Sequence, residues 1–150
     1  MTPHEVIDEG NKRLKEIFER HTEFKKIEEK IQLTQDVTSV DVETISSAMS
    51  MMSAYLSSLV RVISTYTSLA NSQYVYRKFS MMWKFNRSNL NTKYDRENDA
   101  LDKNEKEYFE ELINKYVADV LKSKYEAYER HVSILQSRSG ILKNEMFRNT

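Results

Sequence analysis

Cysteine is absent from this chain of 150 residues, which excludes disulfides, thiolate metal sites and thiol catalysis and fits a reducing compartment. Proline occurs once and glycine twice, as Pro3, Gly10 and Gly140, all close to the termini. Roughly 130 residues between them run without an obligatory break, so long helices are expected. Long apolar runs are missing as well. The first thirty residues are charged, and the least charged segment, 45–66, is interrupted by seven serines and Arg61. Neither a signal peptide nor a membrane span is expected; the reading is a soluble, cytoplasmic protein, in the host cytoplasm if a phage encodes it.

The most informative absence is of carboxylates. Lys and Arg together number 23, Asp and Glu also 23, yet no acid lies between Glu43 and Asp95, where Arg61, Arg77, Lys78, Lys84, Arg87 and Lys93 do. A chain of zero formal net charge thus concentrates positive potential in one stretch, which points to an anionic partner. Tyr74, Tyr76, Phe79, Trp83 and Phe85 are interleaved with these cations, a mixture suited to nucleic-acid backbones and unstacked bases. It suits the seam of a helical oligomer equally. Downstream, 95–111 holds eight acids against three bases, which either pack near the basic stretch or repel a phosphate backbone.

Among the residues present, helical periodicity dominates. From Glu5 to Leu33 the spacing of Ile7, Leu14, Ile17, Phe18, Phe24, Ile27 and Ile31 predicts one amphipathic helix. A turn follows, and Ser39 or Asp41 can cap the next helix. There Ile45, Met49, Met52, Leu56, Leu59, Ile63, Tyr66 and Ala70 advance by alternating steps of four and three, a heptad seam. The opposite face, rich in serine, suggests a central helix packed on more than one side. The helix either kinks at Asn71–Gln73 or continues to Phe85, and 86–92 reads as a loop. A last helix is expected to start between Asp95 and Asp102 and to run to about Gln136, with Ser137–Gly140 weakening it before Ile141, Leu142, Met146 and Phe147 resume the pattern. The expected fold is all-α: long amphipathic helices in an elongated antiparallel hairpin or bundle of coiled-coil character, assembling into a homo-oligomer. Residues 1–36 would form an N-terminal helix and 37–150 the binding and oligomerisation domain.

No catalytic pattern is found. His4, His21 and His131 stand far apart without metal-ligand spacing, and no Gly-rich phosphate loop occurs. The reading is a non-enzyme without metal or cofactor. Arg77, Lys78, Lys84 and Arg87 suit a solvated helix face or a phosphate-contacting one, and Tyr76, beside them, is the preferred base contact. Phe79 and Trp83, four residues apart, favour hydrophobic packing over stacking on a base. Met49, Met52, Leu56, Leu59 and Ile63 are the candidate oligomerisation seam.

Arg77-Lys78 followed by Phe79 and Met82-Trp83, and later Ser137-Arg138-Ser139-Gly140-Ile141-Leu142-Lys143 with Met146-Phe147-Arg148, form an order of features over 42–148 that resembles the UvsY recombination mediators of T4-like phages. Members of that family carry a basic and aromatic motif of the type Lys-x-Arg-x-x-Tyr-Tyr, whose spacing this chain does not reproduce. The resemblance implies an all-helical, ring-forming protein that binds single-stranded DNA and helps load a recombinase onto strands covered by single-strand-binding protein. It implies DNA contact by Arg77 and Lys78, and assembly through a C-terminal segment containing Ile141, Leu142 and Phe147. The alternative is a helical structural or scaffold protein of a phage particle that acts through homo-oligomerisation.

Overall fold

The computed structural model describes residues 2–36, 41–88, 90 and 92–148. Among these, five α-helices and no strand are found: α1 (Pro3–Arg20), α2 (Glu23–Leu33), α3 (Val42–Asn86), α4 (Lys93–Lys103) and α5 (Glu105–Arg148). The all-helical class read from the sequence is the class observed.

Local chemistry explains the boundaries. Thr2 and Glu5 close a reciprocal capping box, the Glu5 amide donating to Thr2 Oγ1 and the Thr2 amide to Glu5 Oε2, with Pro3 at the first helical position. The single helix expected over 5–33 is broken at His21 and Thr22. Phe18 and Phe24, six residues apart, would point in different directions on one straight helix. The break lets their rings meet edge to face at 4.9 Å between centroids, with Phe24 buried. Asp41 caps α3 by accepting from the Thr44 amide at 2.7 Å; Ser39, the other candidate, lies outside the described residues.

No break occurs at Asn71–Gln73, and α3 continues for 45 residues to Asn86. Thr92 then caps α4, its hydroxyl accepting from the Asp95 amide at 3.1 Å. The expected last helix is divided at Asn104, and its final part runs beyond Gln136 to Arg148. Gly140, with no neighbouring atom within 4 Å of a Cβ built on it, costs a helix only about 1 kcal/mol relative to alanine, and a 44-residue α5 absorbs that.

The chain divides into two compact units, Met1–Lys15 with Ser64–Val120 and Glu16–Ile63 with Leu121–Thr150, a division unlike the expected one at residue 36. In the first unit Val6, Leu14, Ala100, Ile113, Val117 and Ala118 are buried. Gly10 is buried there too, against Tyr116: a Cβ at this position would stand 2.3 Å from ring atom Cδ1, so α1 approaches the ring at a distance only glycine permits. The Tyr116 hydroxyl donates to Asn11 Oδ1 at 2.7 Å and holds the ring in place.

The core of the second unit includes Phe24, Ile27, Ile45, Met52, Leu59, Leu121 and Leu135. Glu28 accepts from Lys124 Nζ at 2.8 Å and from the Tyr128 hydroxyl at 2.7 Å. Burial works against its charge, but these two donors outweigh burial and lower its pKa. The same burial and the same carboxylate push the Tyr128 phenol up.

Thr34, fully buried, donates its hydroxyl to the Lys30 carbonyl at 2.7 Å, so His131 Nε2, 2.8 Å from the same oxygen, must be the donor of that contact. Neutral and protonated imidazole both supply this N–H. Burial alone therefore decides the shift and pushes the His131 pKa below its ordinary value. As pH falls through about 6.5 the unfolded chain takes up this proton first, so the unfolding free energy drops and then levels off below the folded-state pKa. Urea unfolding in steps from about pH 7 to pH 5 should show this decline, at most about 1.4 kcal/mol per pH unit, and His131→Gln should flatten it. An undiminished slope in the variant would assign the effect to another group.

Candidate nucleic-acid interface

The four-three stepping that begins at Ile45 does not stop at Ala70. Continued in phase, it passes through Gln73, Arg77, Ser80 and Lys84. On α3 these later positions are half-buried, like the seam residues Ile63 and Tyr66 before them. The seam face is thus retained while its chemistry changes from apolar to polar.

In the first unit that polar seam meets the start of α5. Arg77 forms an ion pair with Glu111, both side chains mostly buried, and its guanidinium lies 5.5 Å from the centroid of the Tyr108 ring. Lys84 Nζ stands 3.4 Å from Glu107 Oε1. Asn104 uses both ends of its amide on the same stretch of α3: Nδ2 donates to the Arg77 carbonyl at 3.1 Å and Oδ1 accepts from the Ser80 hydroxyl at 3.2 Å. The pairs step upward along α3 and downward along α5, so the two segments run antiparallel in this unit.

Turning Arg77 and Lys84 inward turns the apolar residues outward. Val75, Tyr76, Phe79, Met82 and Trp83 are between 54% and 73% exposed. Phe79 and Trp83 therefore do not pack into the core as their spacing suggested, because the α5 side of this helix is occupied by ion pairs. Two candidate phosphate contacts are exposed among them. Lys78 Nζ lies 4.8 Å from the Tyr74 ring centroid, and the Arg87 guanidinium 4.3 Å from that of Trp83. Val75, Tyr76, Phe79, Trp83, Lys84 and Glu107 contribute to an open groove of about 900 Å³.

The structure thus separates the five residues expected to contact DNA. Tyr76, Lys78 and Arg87 are exposed; Arg77 and Lys84 are engaged by carboxylates of the same chain. Glu107 and Glu111 were legible only as members of an acidic run opposite a basic one, and Asn104 carried no sequence signal.

The expected oligomerisation seam also has intramolecular use. Met52, Leu56 and Leu59 are buried and Met49 and Ile63 half-buried by the chain's own helices, because the second unit closes over this face. At the C-terminal end Ile141 and Phe147 are exposed and Leu142 half-buried. The serine face of α3, expected to be packed, is exposed at Ser47, Ser50, Ser53, Ser57 and Ser58. Ser57, for one, donates its hydroxyl back to the Ser53 carbonyl and needs no partner helix.

Among the described residues no group of three or more His, Cys, Asp or Glu is placed to hold a metal, and no helix is long and apolar enough to cross a membrane. No family model, curated protein or solved structure matches this chain.

Proposed function

We propose that this protein is a non-enzymatic, single-strand-binding recombination mediator that grips DNA with the outward face of α3 around Tyr76, Lys78, Phe79, Trp83 and Arg87. The observation that carries this reading is the exposure of aromatic rings beside two exposed cations in a stretch without carboxylates. Rings of this kind stack on unpaired bases with little regard to sequence, and the cations meet the phosphates. One such face is a weak module. Assembly into a homo-oligomer, a ring in the resembled family, repeats it and supplies avidity. A recombinase and a single-strand-binding protein are the proposed protein partners, and no bond chemistry is required.

Fluorescence anisotropy with a labelled single-stranded oligonucleotide across a salt series tests the site. Lys78→Ala with Arg87→Ala should weaken binding and reduce the slope of log K against log salt by roughly 1.4 for each bound subunit, from about 0.7 per lost phosphate contact. Arg77→Met with Glu111→Leu, which removes an inward cation together with its carboxylate, should leave the slope unchanged. An unaltered slope in the double variant would reject this face.

One observation favours a second reading, a helical structural or scaffold protein. The exposed residues Val75, Phe79 and Met82 also advance by four and three, the spacing of a helix-helix seam. Concentration-dependent sedimentation without any strand binding at low salt would favour it.

A further inference from the structure

The groove on α3 contains more than rings. At its wall Glu107 places Oε1 toward Lys84, while its second oxygen, Oε2, is buried and has no donor among the described residues. A buried carboxylate oxygen without a hydrogen bond costs free energy, which a donor entering the groove would relieve. The terminal torsion of glutamate is broad, so the carboxylate can turn this oxygen toward an arriving group.

We infer that this groove is a slot for an unstacked base and that Glu107 makes it favour bases with an exocyclic amino group, cytosine over thymine among the pyrimidines. The inference rests on the strand-binding reading above and adds a preference to it. Charge decides the class of occupant. A carboxylate among aromatic rings would by itself suit a cation, but Lys84 adjoins it, and Lys78 and Arg87 are exposed nearby along α3. Within the groove lining Lys84 and Glu107 offset each other, so with Lys78 and Arg87 exposed on the same helix the groove favours an occupant attached to phosphates over a free cation.

Ring chemistry then decides the base. Tyr76, Phe79 and Trp83 offer faces to any flat heterocycle. An ionised carboxylate only accepts hydrogen bonds, and its characteristic nucleobase partner is the cytosine N4 amino group. Thymine has only N3–H to offer, set between two carbonyl oxygens: Lys84 can donate to one of them, but the other is left against the carboxylate and repels it. The Lys84 ammonium, already beside Glu107, can donate to the cytosine N3 acceptor next to the amino group, so the two side chains together complement that edge.

The test is anisotropy at one low salt concentration with oligodeoxycytidine and oligodeoxythymidine of equal length. Wild-type protein should bind oligodeoxycytidine at least about fivefold more tightly. Glu107→Gln, whose amide both donates and accepts, should bind the two within about twofold of each other. Trp83→Ala should weaken both alike. Should Glu107→Gln fail to fold, an oligonucleotide of N4,N4-dimethylcytosine, which has no amino hydrogen, should lose the advantage with unaltered protein. Equal, salt-sensitive binding of both oligonucleotides by the wild type would overturn the base preference and leave the strand-binding function standing. A preference that survives in Glu107→Gln, or with the dimethylated base, would overturn the role of Glu107. No binding of either oligonucleotide would remove the proposed function itself.

Discussion

Leu59→Ala is expected to reduce the unfolding free energy by about 2–5 kcal/mol, and to do so equally at low and high protein concentration. The size follows from complete burial: Leu59 has no exposed surface, and truncation leaves a cavity as well as removing apolar area. The independence from concentration follows from what covers it, which is the chain itself. Urea unfolding at two concentrations differing by about a hundredfold would read both quantities, since an intersubunit contact would gain stability by mass action. A loss that grows with concentration would place Leu59 in a contact between copies, and one below about 1 kcal/mol would reject its place in the core.

Removal of Glu111 carries the second large effect. Arg77 is mostly buried, so Glu111→Ala strands its guanidinium without a carboxylate, at a cost of about 3 kcal/mol by urea unfolding. Arg77→Met combined with Glu111→Leu, which replaces the pair by apolar side chains of similar length, should recover most of that loss. The two proteins separate stability from binding. Arg77 without its carboxylate adds positive charge beside the α3 face, so Glu111→Ala should bind a single strand more tightly at low salt, while the apolar double variant should bind as the wild type does. A near-neutral Glu111→Ala would show that the ion pair is solvated and not part of the core.

What the sequence made legible was the path of the chain more than the use of its side chains. The scarcity of Pro and Gly anticipated helices as long as α3 and α5, and the end of α3 was readable from the turn formers of 86–92, of which Asn86 is still helical and Asn89 and Asn91 lie outside the described residues. The break between α1 and α2 was not readable, because it contains no turn residue and arises from the tertiary gain of bringing Phe18 to Phe24. The nature of the α3 face was half legible. Its stepping is visible through Ala70, but with Gln73, Arg77, Ser80 and Lys84 the pattern ceases to be apolar and so ceases to look like a buried face. Phase alone, extended through these polar residues, would have turned Arg77 and Lys84 inward and Phe79 and Trp83 outward. Chemistry argued the reverse, since cations are usually cheapest in water and rings in a core. The acids of α5 invert that preference, and their partners could be anticipated only as a run of opposite charge.

Asn104 has a consequence for how α3 and α5 are aligned along their length in the first unit. Apolar ridges repeat every three or four residues, so a helix can slide past its neighbour by one repeat and meet nearly equivalent contacts. One turn away, the small Ser80 hydroxyl that Asn104 accepts from is replaced by the long side chain of Arg77 or Lys84, which does not fit the same buried contact. Since Asn104 is almost fully buried, a slipped alignment would crowd its amide with one of these longer side chains and would also separate Arg77 from Glu111. The polar interruption of the seam therefore acts as a register pin, weak as a source of net stability but selective against every displaced arrangement of the same two helices.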